Sequence, residues 1–182
     1  MPVPLWVIID PQHDFTHPQG QYAARHAGIS QIIAAGQQIR RILLHLPPEQ
    51  AVIVCSEYQP HQFGTGLSLA LPGTFGQQTD SNVVPSGMSA DRIIKKEHSA
   101  FSSAAFRRFL THYEGGTLII CGFLAAYCVR HTALDAIAAG YQVILPADAI
   151  GTGDDVQHRR IEMLETLVQA GALCIPAAAS LQ

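Results

Sequence analysis

The chain has 182 residues, of which 48% are hydrophobic and 14% charged, with a net charge of −3. That is about one domain's worth of sequence, and a core of this size can bury roughly 70% of the unfolded chain's surface, so a single domain over residues 1–182 needs no staple. No run of Lys/Arg exceeds two residues, which argues against nucleic acid as a partner.

The first apolar run lies in "MPVPLWVIIDPQHDF". It has no basic leader and no small-residue cleavage site, and Asp10 and Pro11 cut it short. It therefore reads as a strand, "PLWVIID", rather than a signal peptide. No other run reaches the roughly 18 apolar residues of a membrane span, so no membrane partner is expected. Next, Ile29, Ile32, Ile33, Ile39, Ile42, Leu43 and Leu46 recur at helical spacing, and Pro47 and Pro48 stop that helix. "AVIVCS" is the second strand. From Glu57 to Asp91, Gly, Pro, Ser, Thr and Gln recur with little periodicity. A loop of this length inside a compact domain is usually an active-site wall or a partner contact.

"DRIIKK" is a short third strand. "SSAAFRRFLTHY" is a helix with Ser102 or Ser103 as its cap. "TLIICG" is a strand, and "AYCVRHTALDAIAAG" is a helix closed by Gly140. "QVILPAD" is a strand, "DDVQHRRIEMLETLVQAG" a helix closed by Gly171, and "ALCIP" the last strand. The tail "AAASLQ" is expected to fray. Buried runs alternating with helices predict an α/β fold: a three-layer αβα, Rossmann-like open sheet of about six mostly parallel strands.

The four cysteines include no C-x-x-C pair. Without an export signal they are expected to be reduced thiols in a cytoplasmic protein. Cys55, Cys121 and Cys174 lie inside strand runs and read as core. The low charged fraction leaves room for a homo-oligomeric contact.

In an open parallel sheet, ligands bind beyond the carboxyl ends of the strands. Asp10 follows "VII", Lys95 and Lys96 follow "RII", and Cys128 lies on the turn after "LIIC". A carboxylate, an amine and a thiol thus arrive at one edge from three strands. At the first turn of a helix, the helix dipole and free N–H groups favour the thiolate. A nearby carboxylate can take and return a proton, and the N–H groups can hold an oxyanion. The implied chemistry is acyl transfer to water through a thioester. Each residue also has a plain structural role: Cys128 as core, Asp10 as a turn starter, either lysine as a solvated strand end.

These residues sit in recognisable motifs. "VIIDPQHDF" resembles I-D-x-Q-N-D-F, with His13 in place of Asn. "KKEHSAF" resembles K-x-x-x-S-A-F. "CGFLAAYCVRHTALDA" resembles C-G-x-x-T-x-x-C-V-x-x-T-A-x-D-A. Together they resemble the isochorismatase-like cysteine hydrolases, the group that includes nicotinamidases, N-carbamoylsarcosine amidases and ureidoacrylate-type amidohydrolases. The resemblance implies Cys128 as nucleophile, Asp10 as general base and acid, and Lys95, by its spacing to Ser99, as their electrostatic partner. It also implies a cis peptide at Phe123–Leu124, with the N–H groups of Leu124 and Cys128 as oxyanion donors. Phe15, Tyr58, Phe101 and Tyr127 are expected around a small-molecule substrate. His98, His131 and His158 are left outside the triad.

Three departures refine this expectation. Glu57 and Gln59 stand where nicotinamidases carry a D-x-H metal motif. No metal or other cofactor is therefore expected, although Glu57 with His61 leaves a metal-assisted amidase open. Ala125 and Ala126 replace Thr and an acidic or amide residue, which makes the pocket floor plainer and leaves open an inactive binding or regulatory member. True isochorismatases usually lack the thiol, so Cys128 points to C–N hydrolysis of a small amide or ureido compound.

Overall fold

The computed structural model describes residues 3–181. Seven strands form one sheet: β1 (Leu5–Ile9), β2 (Ala51–Ser56), β3 (Asp91–Lys95), β4 (Thr117–Phe123), β5 (Gln142–Pro146), β6 (Ile150–Gly151) and β7 (Leu173–Ile175). The order is β3-β2-β1-β4-β5-β7, with β6 paired to the end of β4. Every pairing between them is parallel. The seventh strand beyond the expected six is β6. At two residues it is too short to leave a pattern in the sequence.

The helices are α1 (His13–Thr16), α2 (Ser30–Leu43), α3 (Ala104–Leu110), α4 (Arg130–Ala138) and α5 (Gln157–Gln169). With the right-handed crossovers that parallel strands follow, α2, between β1 and β2, covers one face of the sheet. The opposite step from β4 to β5 puts α4 on the other, giving the αβα layering. Ile32, Ala35, Gly36, Ile39, Ile42 and Leu43 form the buried stripe of α2. Asp154 caps its start, accepting from the Ser30 N–H at 2.8 Å and the Gln31 N–H at 2.9 Å. Ser103 caps α3. Gly140 (φ 87°) and Gly171 (φ 109°) follow α4 and α5 in left-handed geometry, the ordinary way to end a helix.

Two local expectations change. Of the tail, Ala177–Leu181 form a 3₁₀ turn, with the Ala177 N–H donating to Asp148 Oδ1 at 2.6 Å, while Gln182 lies outside the described residues. The helix after β4 does not begin as an α-helix. Residues Ala125–Val129 make a π-type turn, and α4 starts at Arg130.

The strand order reverses between β1 and β4, so the crevice for a ligand opens where those two strands end. Gly122 lets them end together. It pairs with Ile9 at φ 116°, and a Cβ on it would lie 2.1 Å from the Ile9 carbonyl oxygen. The long segment after β2 contains no helix or strand up to Ala90, yet it is held at several points. Asp14 accepts from the Ala70 N–H at 2.7 Å, Asp80 N–H donates to the Pro11 carbonyl at 2.8 Å, and Gln12 bridges to Thr79.

Replacing Gly122 by Ala should destabilise the fold by about 3 kcal/mol or more, because a left-handed φ and a backbone collision act together. Urea unfolding measures this; a midpoint equal to that of the native chain would refute it.

Candidate active site

Asp10 ends β1, and its backbone decides where its carboxylate goes. Ile9 pairs with Val54, so regular alternation would set Asp10 opposite Cys55 and facing away from Ser56. Instead Asp10 adopts φ 50°, a conformation that Asp and Asn tolerate better than most residues. Its Oδ1 then accepts from Ser56 Oγ at 2.8 Å. Gln12 completes the corner. Its side-chain amide accepts from the Ser56 N–H at 2.7 Å and donates to the Ser56 carbonyl at 2.9 Å. In effect the amide continues the strand ladder that the chain has left.

Lys95 ends β3, two strands away from β1, a span of about 10 Å. Its side chain crosses over Ser56, its register partner on β2. Nζ lies 2.7 Å from Ser56 Oγ, 2.9 Å from Tyr58 Oη, 3.0 Å from the Glu97 carbonyl and 3.0 Å from Asp10 Oδ2. Both charged side chains are fully buried. Burial opposes the charge on Lys95, but the Asp10 carboxylate and the Cys128 sulfur outweigh it and raise its pKa. Asp10 Oδ2 is reached by this ion pair only; no hydrogen bond is directed at it among the described residues. That oxygen keeps lone pairs able to take a proton.

Cys128 lies in the π-type turn, almost fully buried, with Sγ 3.3 Å from Tyr58 Oη, 3.4 Å from Lys95 Nζ and 3.8 Å from His98 Nδ1. The structure thus brings Asp10, Lys95 and Cys128 together. Burial works against the thiolate that a helix start would favour. Burial pushes the thiol up to about 12, the Asp10 carboxylate adds to this, and Lys95 only partly opposes it. Burial is the larger effect on the thiol, and the Asp10 carboxylate acts in the same direction. Burial, then the Asp10 carboxylate, also push Tyr58 well above the ordinary phenol range, so its neutral hydroxyl can donate to sulfur. His98 is lowered by burial, then by His131 and Lys95.

The turn holding Cys128 follows a cis peptide at Phe123–Leu124. The Leu124 N–H meets no acceptor among the described residues. Cys128 opens into a cavity of about 330 Å³, lined also by Phe15, Tyr58 and Tyr127. Phe101, expected there too, is elsewhere. It packs edge-on against Phe106 at 5.3 Å and faces a separate groove beside Tyr141, because the 3₁₀ turn at Ala100–Ser102 carries it away. Ala125 and Ala126 do not form the floor either; Leu124 and Tyr127 line the cavity from that turn.

The sequence reading missed Ser56 and Gln12, which have no role in the motifs beyond their letters. It also set aside His98, whose ring stacks on Phe63 at 4.1 Å beside the thiol. The 57–91 segment, expected as a wall, supplies Tyr58, Phe63, Leu67 and Leu69 to the cavity.

A family model described as "Isochorismatase domain" matches residues 4–179. The chain belongs to the isochorismatase family. Among its relatives, an N-carbamoylsarcosine amidase of Arthrobacter sp is 39% identical over 79 residues, 43% of this chain and 29% of that enzyme. A secreted isochorismatase effector of Verticillium dahliae is 26% identical over 137 residues, 75% of this chain and 70% of the effector. The chain therefore spans under a third of the first relative's length and somewhat over two thirds of the second's. The crystal structure of PnC1 from L. infantum in complex with nicotinate superposes with a TM-score of 0.79. It is 22% identical, and the match covers 97% of this chain and 94% of that one. At that identity the likeness speaks for the fold. No helix among the described residues is long and apolar enough to cross a membrane.

The metal motif of some isochorismatase-family members finds a poor donor set here. Gln59 offers an amide where an imidazole is needed. Glu57 accepts from Gln77 at 3.2 Å and lies 3.9 Å from the Lys96 ammonium. The His61 Nδ1 accepts from the Gly66 N–H at 3.0 Å. No three His, Cys, Asp or Glu side chains converge among the described residues. These residues do not fit a catalytic metal.

Two outcomes follow for this isochorismatase-family site. Lys95→Met should destabilise by about 3–5 kcal/mol, because it strands a buried carboxylate. Adding Asp10→Asn should recover most of that loss in denaturant unfolding; a fully additive double variant would contradict the coupling. Iodoacetamide should modify Cys128 slowly near pH 8. The rate, read from the labelled peptide by mass spectrometry, should keep rising past the free-thiol value of about 8.5. A plateau at that value would show an unperturbed thiol.

Proposed function

We propose that the chain is a metal-independent thiol hydrolase that cleaves a C–N bond in a small amide or ureido compound through a thioester. The observation that carries this reading is the placement of Cys128 Sγ at a cavity, 3.4 Å from Lys95 Nζ, which is itself 3.0 Å from Asp10 Oδ2. The amidase among its relatives supports the bond type.

In this reading the thiol stays protonated until substrate arrives. Asp10 Oδ2 takes the Cys128 proton as sulfur attacks the carbonyl carbon. The negative oxygen of the tetrahedral adduct is held by the N–H groups of Leu124 and Cys128. The C–N bond then breaks, and Asp10 returns the proton to the departing nitrogen. Water attacks the thioester, Asp10 takes its proton, the C–S bond breaks, and sulfur recovers a proton. Lys95 stays charged throughout and balances whichever of Asp10 and Cys128 is negative. Tyr58 donates to sulfur when it leaves as thiolate. Phe15, Tyr58 and Tyr127 flank the substrate.

The alternative is a binding member of the family without turnover. One experiment separates the two. Across a panel of small amides and ureido compounds scored by ammonia release, Cys128→Ala should lower turnover by about 10⁴-fold or more while circular dichroism stays unchanged. Activity that survives this change would exclude the nucleophile, and a panel with no turnover at all would favour the binding reading.

A further inference from the structure

Hydrolysis of a thioester on Cys128 needs a base that faces the incoming water. Once sulfur carries an acyl group, that water comes from the cavity. Among the described residues the cavity lining includes neither Asp10 nor Lys95, and no carboxylate. Asp10 has no solvent exposure and is engaged with Lys95 and Ser56. Two imidazoles do line the cavity, His26 and His98. His26 Nδ1 is bonded to Asp155 at 2.8 Å. His98 Nδ1 lies 3.8 Å from Cys128 Sγ, and the ring makes no other hydrogen bond among the described residues.

The His98 ring is half-buried and held in place. It stacks on Phe63 at 4.1 Å and on His131 at 5.3 Å, with Tyr127 tilted against it at 5.6 Å. The chain just before it is fixed as well, since the Glu97 carbonyl accepts from Lys95 Nζ at 3.0 Å. The lysine that balances Asp10 thus also sets the imidazole beside the sulfur. Burial, then His131 and Lys95, lower the His98 pKa, while Asp10 and Glu97 oppose them. The ring is therefore neutral at ordinary pH and free to accept a proton. Its Nδ1 faces a sulfur that leaves poorly as a thiolate, because burial raises the Cys128 pKa. A water attacking the carbonyl carbon on Sγ passes within reach of a nitrogen this close.

We propose that His98 is the base and acid of thioester hydrolysis, taking a proton from the attacking water and handing it to the departing sulfur. This deepens the thiol-hydrolase reading, rests on it, and moves the water's proton from Asp10 to His98. The water oxygen bonds to the carbonyl carbon, the C=O pair moves onto oxygen, and one water proton passes to Nδ1. The C=O bond then re-forms, the C–S bond breaks with its pair going to sulfur, and the Nδ1 proton joins that sulfur. Asp10, having given its proton to the departed nitrogen, stays a carboxylate beside Lys95. His98 and Cys128 end in their starting states.

The test uses p-nitrophenyl acetate, whose phenolate leaves without needing a proton, so that acylation and hydrolysis are read apart. The native chain should give a burst of nitrophenolate matched to Cys128, then slower turnover. His98→Ala should keep the burst, lower the steady rate by about a hundredfold or more, and accumulate acetyl-Cys128, read by intact mass. Added imidazole should restore its turnover. His98→Gln, which fills the space without a basic nitrogen, should show the same loss and no rescue. In the native chain the steady rate should rise with pH as His98 loses its proton, below the ordinary histidine range, and this limb should be absent from both variants. An unchanged steady rate in His98→Ala, or an equal loss of burst and steady rate without imidazole rescue, overturns the proposal. A native chain without a burst, or a burst that persists in Cys128→Ala, overturns the thiol-hydrolase reading and the proposal with it.

Discussion

A lysine and an aspartate with no solvent access face each other at the carboxyl edge of the sheet, and the local architecture is arranged around that pair. Removing two charges from water costs several kcal/mol per ion. The cost is met only where the remaining donors and acceptors are also placed. Lys95 finds Ser56, Tyr58 and the Glu97 carbonyl besides Asp10. Ser56 both accepts from Lys95 and donates to Asp10. The left-handed Asp10, the Gln12 amide and the small side chain at position 56 are three solutions to one problem. They let a carboxylate on β1 meet an amine on β3 across the intervening strand.

That arrangement sets the state of the thiol. An ion pair balanced within itself has little positive charge to spare for sulfur. Desolvation is then the larger influence on the Cys128 thiol and raises its pKa. A thiolate made without substrate would leave the buried site with net negative charge. In the proposed reaction, proton transfer coupled to carbonyl attack avoids that state, because the charge passes to an oxygen held by backbone N–H groups. There Asp10 Oδ2, free of directed hydrogen bonds, is the proposed acceptor.

The fold was legible in the sequence because its strands are buried on both faces. "LWVII" and "TLIICGF" leave continuous apolar runs bounded by Asp, Gly and Pro, and each stands out from the amphipathic helices around it. The convergence of Asp10, Lys95 and Cys128 was legible as well, since three strand ends in a parallel sheet must share an edge. Ser56 was not, because a serine closing a strand looks like any other serine. The π turn escaped because "AAYCV" has ordinary helical composition, and its deviation comes from tertiary contacts. Phe101 was misplaced for the same reason: a motif letter fixes a position in the chain, while a short 3₁₀ turn decides where the ring points. The burial of Cys128 was not legible, because burial is a property of the folded state and spacing carries no measure of it.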